Sequence, residues 1–322
     1  MARGGGRAEQ AMVPDVEFES YYGRPILKEP VWKTPDVPLY LFLGGLGGAS
    51  ALLAEGAALR GLPALERTTR LVAAACAAGG TVFLIHDLGR PERFLHMLRV
   101  LKPTSPLSVG SFILAPFATL SSVAAGSQLT GLFPRLGRLA GLGAAAFGPP
   151  LATYTAALFA DTAVPIWHEA HRELPFVFAG SGAAAAGGLA MVLVPMEQTG
   201  PAWRMAVVGA VAETAVVEVM ERRLDMLAEP YSKGFAGRLM RSARLLTLSG
   251  VGLAVLGRRS QWWRRAAGVA LVAGSVTTRF GVFEGGMESA RDPKYVVVPQ
   301  KARKAARESA RWAERTAAPR TG

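Results

Sequence analysis

The chain has 322 residues, half of them hydrophobic and 19% charged, with 37 glycines and a positive mean hydropathy. Its apolar residues fall in long blocks instead of alternating with polar ones every few positions, which excludes an ordinary soluble domain. A net charge of +12 would suggest nucleic acid in a soluble protein, but most charges lie between apolar blocks and near the C-terminus, where basic residues set membrane orientation and meet lipid headgroups.

Apolar runs bounded by charge or proline predict eight spanning helices, at 38–59, 71–88, 106–131, 139–160, 174–194, 203–220, 240–257 and 262–280. The Gly and Ala content argues for helices over a barrel of alternating strands. The first 30 residues hold no apolar core like that of a signal peptide, so the first spanning helix is expected to direct insertion. Lys and Arg near the helix ends concentrate on the side of the N-terminus. A multi-pass protein of the inner or plasma membrane with both termini cytoplasmic is therefore expected.

Laying Pro38 on Pro175 aligns PLYLFLGGLGGASALL with PFVFAGSGAAAAGGLA, each a short large-residue run followed by small residues that permit close helix approach. The offset preserves orientation and suggests a duplication into two parallel four-helix bundles, although Gly/Ala-rich membrane helices also align passably by chance. The expected organisation is an N-terminal cytoplasmic-side segment (1–37), a first bundle (38–160), a second bundle (161–280) and a basic tail (281–322). That tail, KARKAARESARWAERTAAPR, suits an amphipathic helix on anionic lipid, a dock for a partner, or a disordered extension.

In chain order, the first polar cluster is at the end of helix two, where His86, Asp87, Arg90, Arg93 and His96 crowd a loop. A carboxylate between guanidiniums and imidazoles can orient a quinone carbonyl and exchange its protons; the same residues can equally lock a loop or anchor a helix end. In helix four, Pro149-Pro150 frees backbone carbonyls and opens space for a ring, and Tyr154 offers an aromatic face with a hydroxyl, useful for a quinone or simply for a membrane interface. Tyr40, His86, Asp87, Arg90, Tyr154 and Asp161 are expected at one membrane face. Glu55, Glu213 and Glu218 lie within spans, where a lone charge costs at least about 2.5 kcal/mol. Glu213 is the deepest and the candidate proton-path residue, with Asp161 at the exit of helix four; Glu55 and Glu218 are expected to reach headgroups.

The four histidines, His86, His96, His168 and His171, sit at or beyond helix ends, which disfavours a bis-histidine haem, and Cys76, the only cysteine, can build neither a disulfide nor an iron–sulfur cluster. No phosphate-binding loop, HExxH or G-x-S-x-G occurs.

PLYLFLGGLGG, HDLGRPERFLHML, SPLSVGSFIL, YTAALFADTAVPIWHEAHRELPFVFAGSG and ARDPKYVVVPQ, in this order, resemble the NrfD/polysulfide-reductase membrane-subunit family over roughly residues 35–300. The resemblance implies a haem-free membrane subunit that is not catalytic alone and that exchanges electrons between menaquinone or ubiquinone and a four-cluster ferredoxin-like subunit. That subunit would in turn serve a molybdopterin enzyme such as a formate dehydrogenase or sulfur-compound reductase. Quinone would lie among the first four helices, with Tyr154, Asp87 and Arg90 carried over from the family's motifs and Asp36 or Tyr40 at the start of helix one. A proton- or ion-translocating module and a purely structural anchor are the competing readings.

Overall fold

A computed structural model describes residues 26–317 apart from 91 and 258, and at 311 and 313–317 the backbone alone. Residues 1–25 of the predicted N-terminal segment, Pro91 of the DLGRP motif and the last five residues lie outside this range. Among the described residues the chain is all-helical: α1 (Asp36–Leu59), α2 (Pro63–Leu88), α3 (Glu92–Met97), α4 (Pro106–Thr130), α5 (Pro134–Ala160), α6 (Pro165–Glu169), α7 (Leu174–Leu193), α8 (Gly200–Leu224), α9 (Glu229–Ser232), α10 (Gly234–Leu256), α11 (Gln261–Arg291) and α12 (Lys294–Ala317).

Proline in the first turn starts α2, α4, α5 and α6, a position where its missing N–H costs no intrahelical bond. Gly89 and Gly131, both at positive φ, end α2 and α4. Pro149 and Pro150 lie inside α5, which continues through them to Ala160 as in the predicted span 139–160.

Six helices, α1, α2, α4, α7, α10 and α11, are long and apolar enough to cross a membrane, which makes this a multi-pass membrane protein. The α5 and α8 helices are comparably long, but Gly, Pro, Thr and Tyr dilute the first and Glu213 and Glu218 the second. Helix α1 is central and packs on α2, α5, α7 and α11; α4 bridges α2 and α5, while α10 joins α11 and α8. Small residues set these distances: a Cβ on Gly48 of α1 would fall 2.3 Å from the carbonyl oxygen of Gly148 of α5, so the backbones themselves are in contact.

Beneath the turn after α5, Phe159 and Trp167 stack at 4.2 Å, with Trp32 on both rings and Phe283 at the side. Trp167 is fully buried and donates its indole N–H to the Val282 carbonyl at 2.8 Å, tying α6 to α11. Two helix ends depart furthest from the sequence expectation. Helix α2 starts at Pro63, not 71, and α11 runs to Arg291, so residues 281–291 belong to that helix and not to the tail. In both cases charged residues that face partners inside the protein had been read as boundaries. Arg70 bonds Glu55 at 2.7 Å, both buried, so Glu55 serves an internal ion pair and not a headgroup. Glu218 pairs with Arg222 and Arg244.

Candidate functional site

The start of α1 and the segment just before it are held to the end of α2 by three polar contacts. Asp36 in the first turn of α1 is buried, and its carboxylate lies 2.6 Å from Nδ1 of His86, whose side chain is 71% exposed. Next to it, the Asp87 carboxylate accepts the Lys33 backbone N–H at 2.9 Å, and Lys33 Nζ donates to the His86 carbonyl. The expected clasp of Asp87 by Arg90 and Arg93 does not form: among the described residues no ion pair joins them, and both arginines are exposed. The left-handed turn at Gly89 carries the chain away from the carboxylate before Arg90 is reached.

Tyr154 is on α5, one turn and a half before its end, and its ring presses on α4 at Gly110, where a Cβ would fall 2.1 Å from Cε2. Only glycine leaves room for the phenol there. Tyr154 forms part of the wall of an open cleft of about 500 Å³ between the start of α4, the end of α5 and the start of α7. Pro103, Thr104 and Val109 line one side; Asp161, the exposed C-terminal cap of α5, and His171 line the other. The size suits a ring with an apolar tail, and the lining is apolar with a few polar groups.

Tyr40 is buried, packs its ring on α2 at Gly80 and shares an apolar cluster with Tyr154. The structure thus gathers Tyr154 and Asp161 in one cleft, while Tyr40, His86, Asp87 and Arg90 do not line it. They belong to the same end of the molecule: Lys33 bonds the end of α2 and Trp32 stacks on Phe159 at the end of α5.

Glu213 occupies a separate place. It is buried on α8, accepts a 2.7 Å hydrogen bond from the Thr278 hydroxyl, and leaves Oε2 without a partner among the described residues. With Thr278, Thr247 and Arg244 it lines a narrow cavity of about 20 Å³. The two proton-path candidates, Glu213 and Asp161, therefore line different cavities.

Sequence reasoning missed Arg279. It is fully buried on α11, lies 3.8 Å over the Phe178 ring, and donates from Nη2 to the Phe178 carbonyl at 2.8 Å. The signal was available, an arginine within a long apolar run, but a span ending at residue 280 made it a boundary charge. Histidines His168 and His171 are tied to backbone carbonyls through Nδ1, and among the described residues no group of three His, Cys, Asp or Glu side chains is arranged to hold a metal ion.

Long apolar helices define a multi-pass membrane protein, and a largely apolar cleft with a few polar groups opens at one end of it. The chain belongs to the polysulphide reductase, NrfD family, whose profile matches residues 27–201, from the segment before α1 to the first residues of α8. Members of this family are membrane subunits of oxidoreductase complexes. No curated protein sequence matches the chain.

Proposed function

We propose that the chain is the quinone-reactive membrane subunit of a multi-subunit oxidoreductase, passing electrons between menaquinone or ubiquinone and an iron–sulfur partner that serves a molybdopterin enzyme. The observation that carries this is the cleft at Tyr154, which has room for a quinone headgroup and lies within the stretch matched by the family. Tyr154 bonds one quinone carbonyl, and Asp161 and His171 at the rim exchange protons with water. The Asp36–His86 and Asp87–Lys33 contacts fix the start of α1 beside that rim. Quinone supplies the two-electron, two-proton chemistry, and the electrons are stored in the partner.

All eight long helices cross the membrane in this reading, as two parallel four-helix bundles with both termini cytoplasmic. Gly45 and Gly182, equivalent in the Pro38–Pro175 alignment, support it: a Cβ on Gly182 would fall 2.8 Å from the Gly45 carbonyl oxygen. Equivalent residues of parallel repeats meet in this way at an axis along the membrane normal. A second reading, proton translocation through the other half of the protein, draws on buried Glu213 with Thr278 and Arg279.

Purification in mild detergent followed by quinone extraction separates the readings. A partner with iron–sulfur absorption together with extractable quinone is the expected result. A partner without quinone would make the chain a structural anchor, and a chain that purifies alone would favour the translocating module.

A further inference from the structure

Each half of the chain ties the start of its first long helix to the end of its second with an ion pair of the same sequence separation. Asp36 and His86 are 50 residues apart, and so are Glu173 and Arg223. In the alignment that lays Pro38 on Pro175, Asp36 falls on Glu173 and His86 on Arg223, so the two pairs hold equivalent places. Their chemistry differs. His86 meets Asp36 through one ring nitrogen, whereas Arg223 donates from Nε to Glu173 Oε1 at 2.5 Å and from Nη2 to Oε2 at 2.7 Å. A guanidinium grips a carboxylate with two parallel bonds and keeps its charge at any working pH.

The second of these pairs borders the Tyr154 cleft. Glu173 is buried and opens α7, its carbonyl accepting the Val177 N–H at 3.0 Å. His171, two residues before it, and Pro175, two residues after it, both line the cleft. Nη2 of Arg223 also donates to the Glu169 carbonyl at the end of α6, where a helix leaves carbonyls without partners of its own. One side chain of α8, a helix that lends the cleft no residue among those described, thus holds the segment from Glu169 to Pro175 at two points. Arg303 of α12 pairs with the Glu169 carboxylate at 3.0 Å, and Nδ1 of His171 is bonded to the His168 carbonyl at 2.9 Å. The imidazole in the cleft wall is therefore tied to the clamped segment.

We propose that Arg223 is a positioning residue for the Tyr154 cleft: by holding Glu173 and the Glu169 carbonyl it sets where His171 and Pro175 stand in the cleft wall. The second half of the chain thereby shapes the quinone site of the first. The inference rests on the functional reading above, since it adds a residue to that same site. A displaced wall loosens the bound ring and leaves Tyr154 in place, so affinity is lost ahead of turnover.

The test uses the assembled complex in its membranes, carrying Arg223→Gln, Arg223→Lys or Glu173→Gln, with Arg222→Gln as the control because that side chain is exposed and pairs with Glu218. Steady-state turnover is measured over a range of quinone concentrations and, separately, with an artificial electron acceptor. Arg223→Gln is expected to raise the quinone KM by about fivefold or more and to change kcat by less than about twofold, with artificial-acceptor activity unaltered. Arg223→Lys, which keeps the charge and loses the fork, is expected to fall between Arg223→Gln and the unaltered complex. Arg222→Gln is expected to match the unaltered complex. Glu173→Gln leaves no buried carboxylate without its counter-charge, and is expected to raise KM even where Arg223→Gln fails to accumulate. An unchanged KM in Arg223→Gln, or in Glu173→Gln where Arg223→Gln does not accumulate, would overturn the proposal. So would a fall of quinone-coupled and artificial-acceptor activity together, which marks lost assembly and not a displaced wall. Unchanged quinone kinetics in Arg223→Gln beside a loss in Tyr154→Phe removes this proposal alone, whereas unchanged kinetics in Tyr154→Phe removes the functional reading itself.

Discussion

The ring of Tyr154 occupies the space that a side chain at Gly110 would fill, with only 2.1 Å between its Cε2 and the position of a Gly110 Cβ. Helix α4 thereby sets where the phenol lies in the cleft. Gly110→Ala is expected to push the ring aside and lower quinone-coupled turnover, whereas Gly126→Ala on the same helix, with open space around it, should leave turnover unchanged. Steady-state quinol kinetics of the two variants check this, with assembly confirmed by partner retention.

The Glu55–Arg70 pair is the main buried ion pair of the first half, with Arg70 also bonded to Glu66 and Gln128. Arg70→Met leaves Glu55 buried without its counter-charge and is expected to cost roughly 3–5 kcal/mol. Removing both members, as Glu55→Met/Arg70→Met, should recover much of that loss, because the carboxylate then left without Arg70 is only Glu66, which is partly exposed. Thermal unfolding in detergent, followed for both variants, distinguishes the two outcomes.

Most of the helical framework was legible in the sequence because lipid demands long apolar runs, and these stand out without any tertiary information. The ends of α2 and α11 were not, since Arg70 and Arg279 are charges held inside the packed protein, against Glu55 in one case and the Phe178 ring and carbonyl in the other. Tyr154 could be singled out from its aromatic hydroxyl beside two prolines. The partner of Asp87 could not: a backbone N–H from Lys33, 54 residues earlier, has no side-chain signature, and the turn at Gly89 that removes Arg90 depends on backbone geometry.

Glu213 is bonded by Thr278, and Arg279 is its nearest cationic neighbour on α11. Glu213→Gln keeps the shape and the Thr278 contact but removes the exchangeable carboxyl proton. It is expected to leave assembly and artificial-acceptor activity intact and to reduce proton uptake coupled to quinone turnover in sealed vesicles, read with a pH-sensitive dye.

At the root of α12, Lys233 and Lys294 bond the Glu229 carboxylate and lower its pKa to about 2 from an ordinary 4.5. A carboxylate held this low favours the folded arrangement fully above its ordinary range and loses that contribution as pH falls toward 2. The hydrogen-exchange protection of the segment joining α11 to α12, with the intrinsic pH dependence of exchange divided out, is therefore expected to stay constant near neutrality and to fall below about pH 4. Glu229→Gln should lower that protection at neutral pH and leave it unchanged on acidification.

The most direct measurement is turnover of the assembled complex carrying Tyr154→Phe, assayed with a quinone and with an artificial electron acceptor. Loss of the phenol hydroxyl is expected to cut quinone-coupled turnover by about tenfold or more while artificial-acceptor activity stays at the level of the unaltered complex. Quinone-coupled turnover equal to that of the unaltered complex would contradict a quinone site in the Tyr154 cleft.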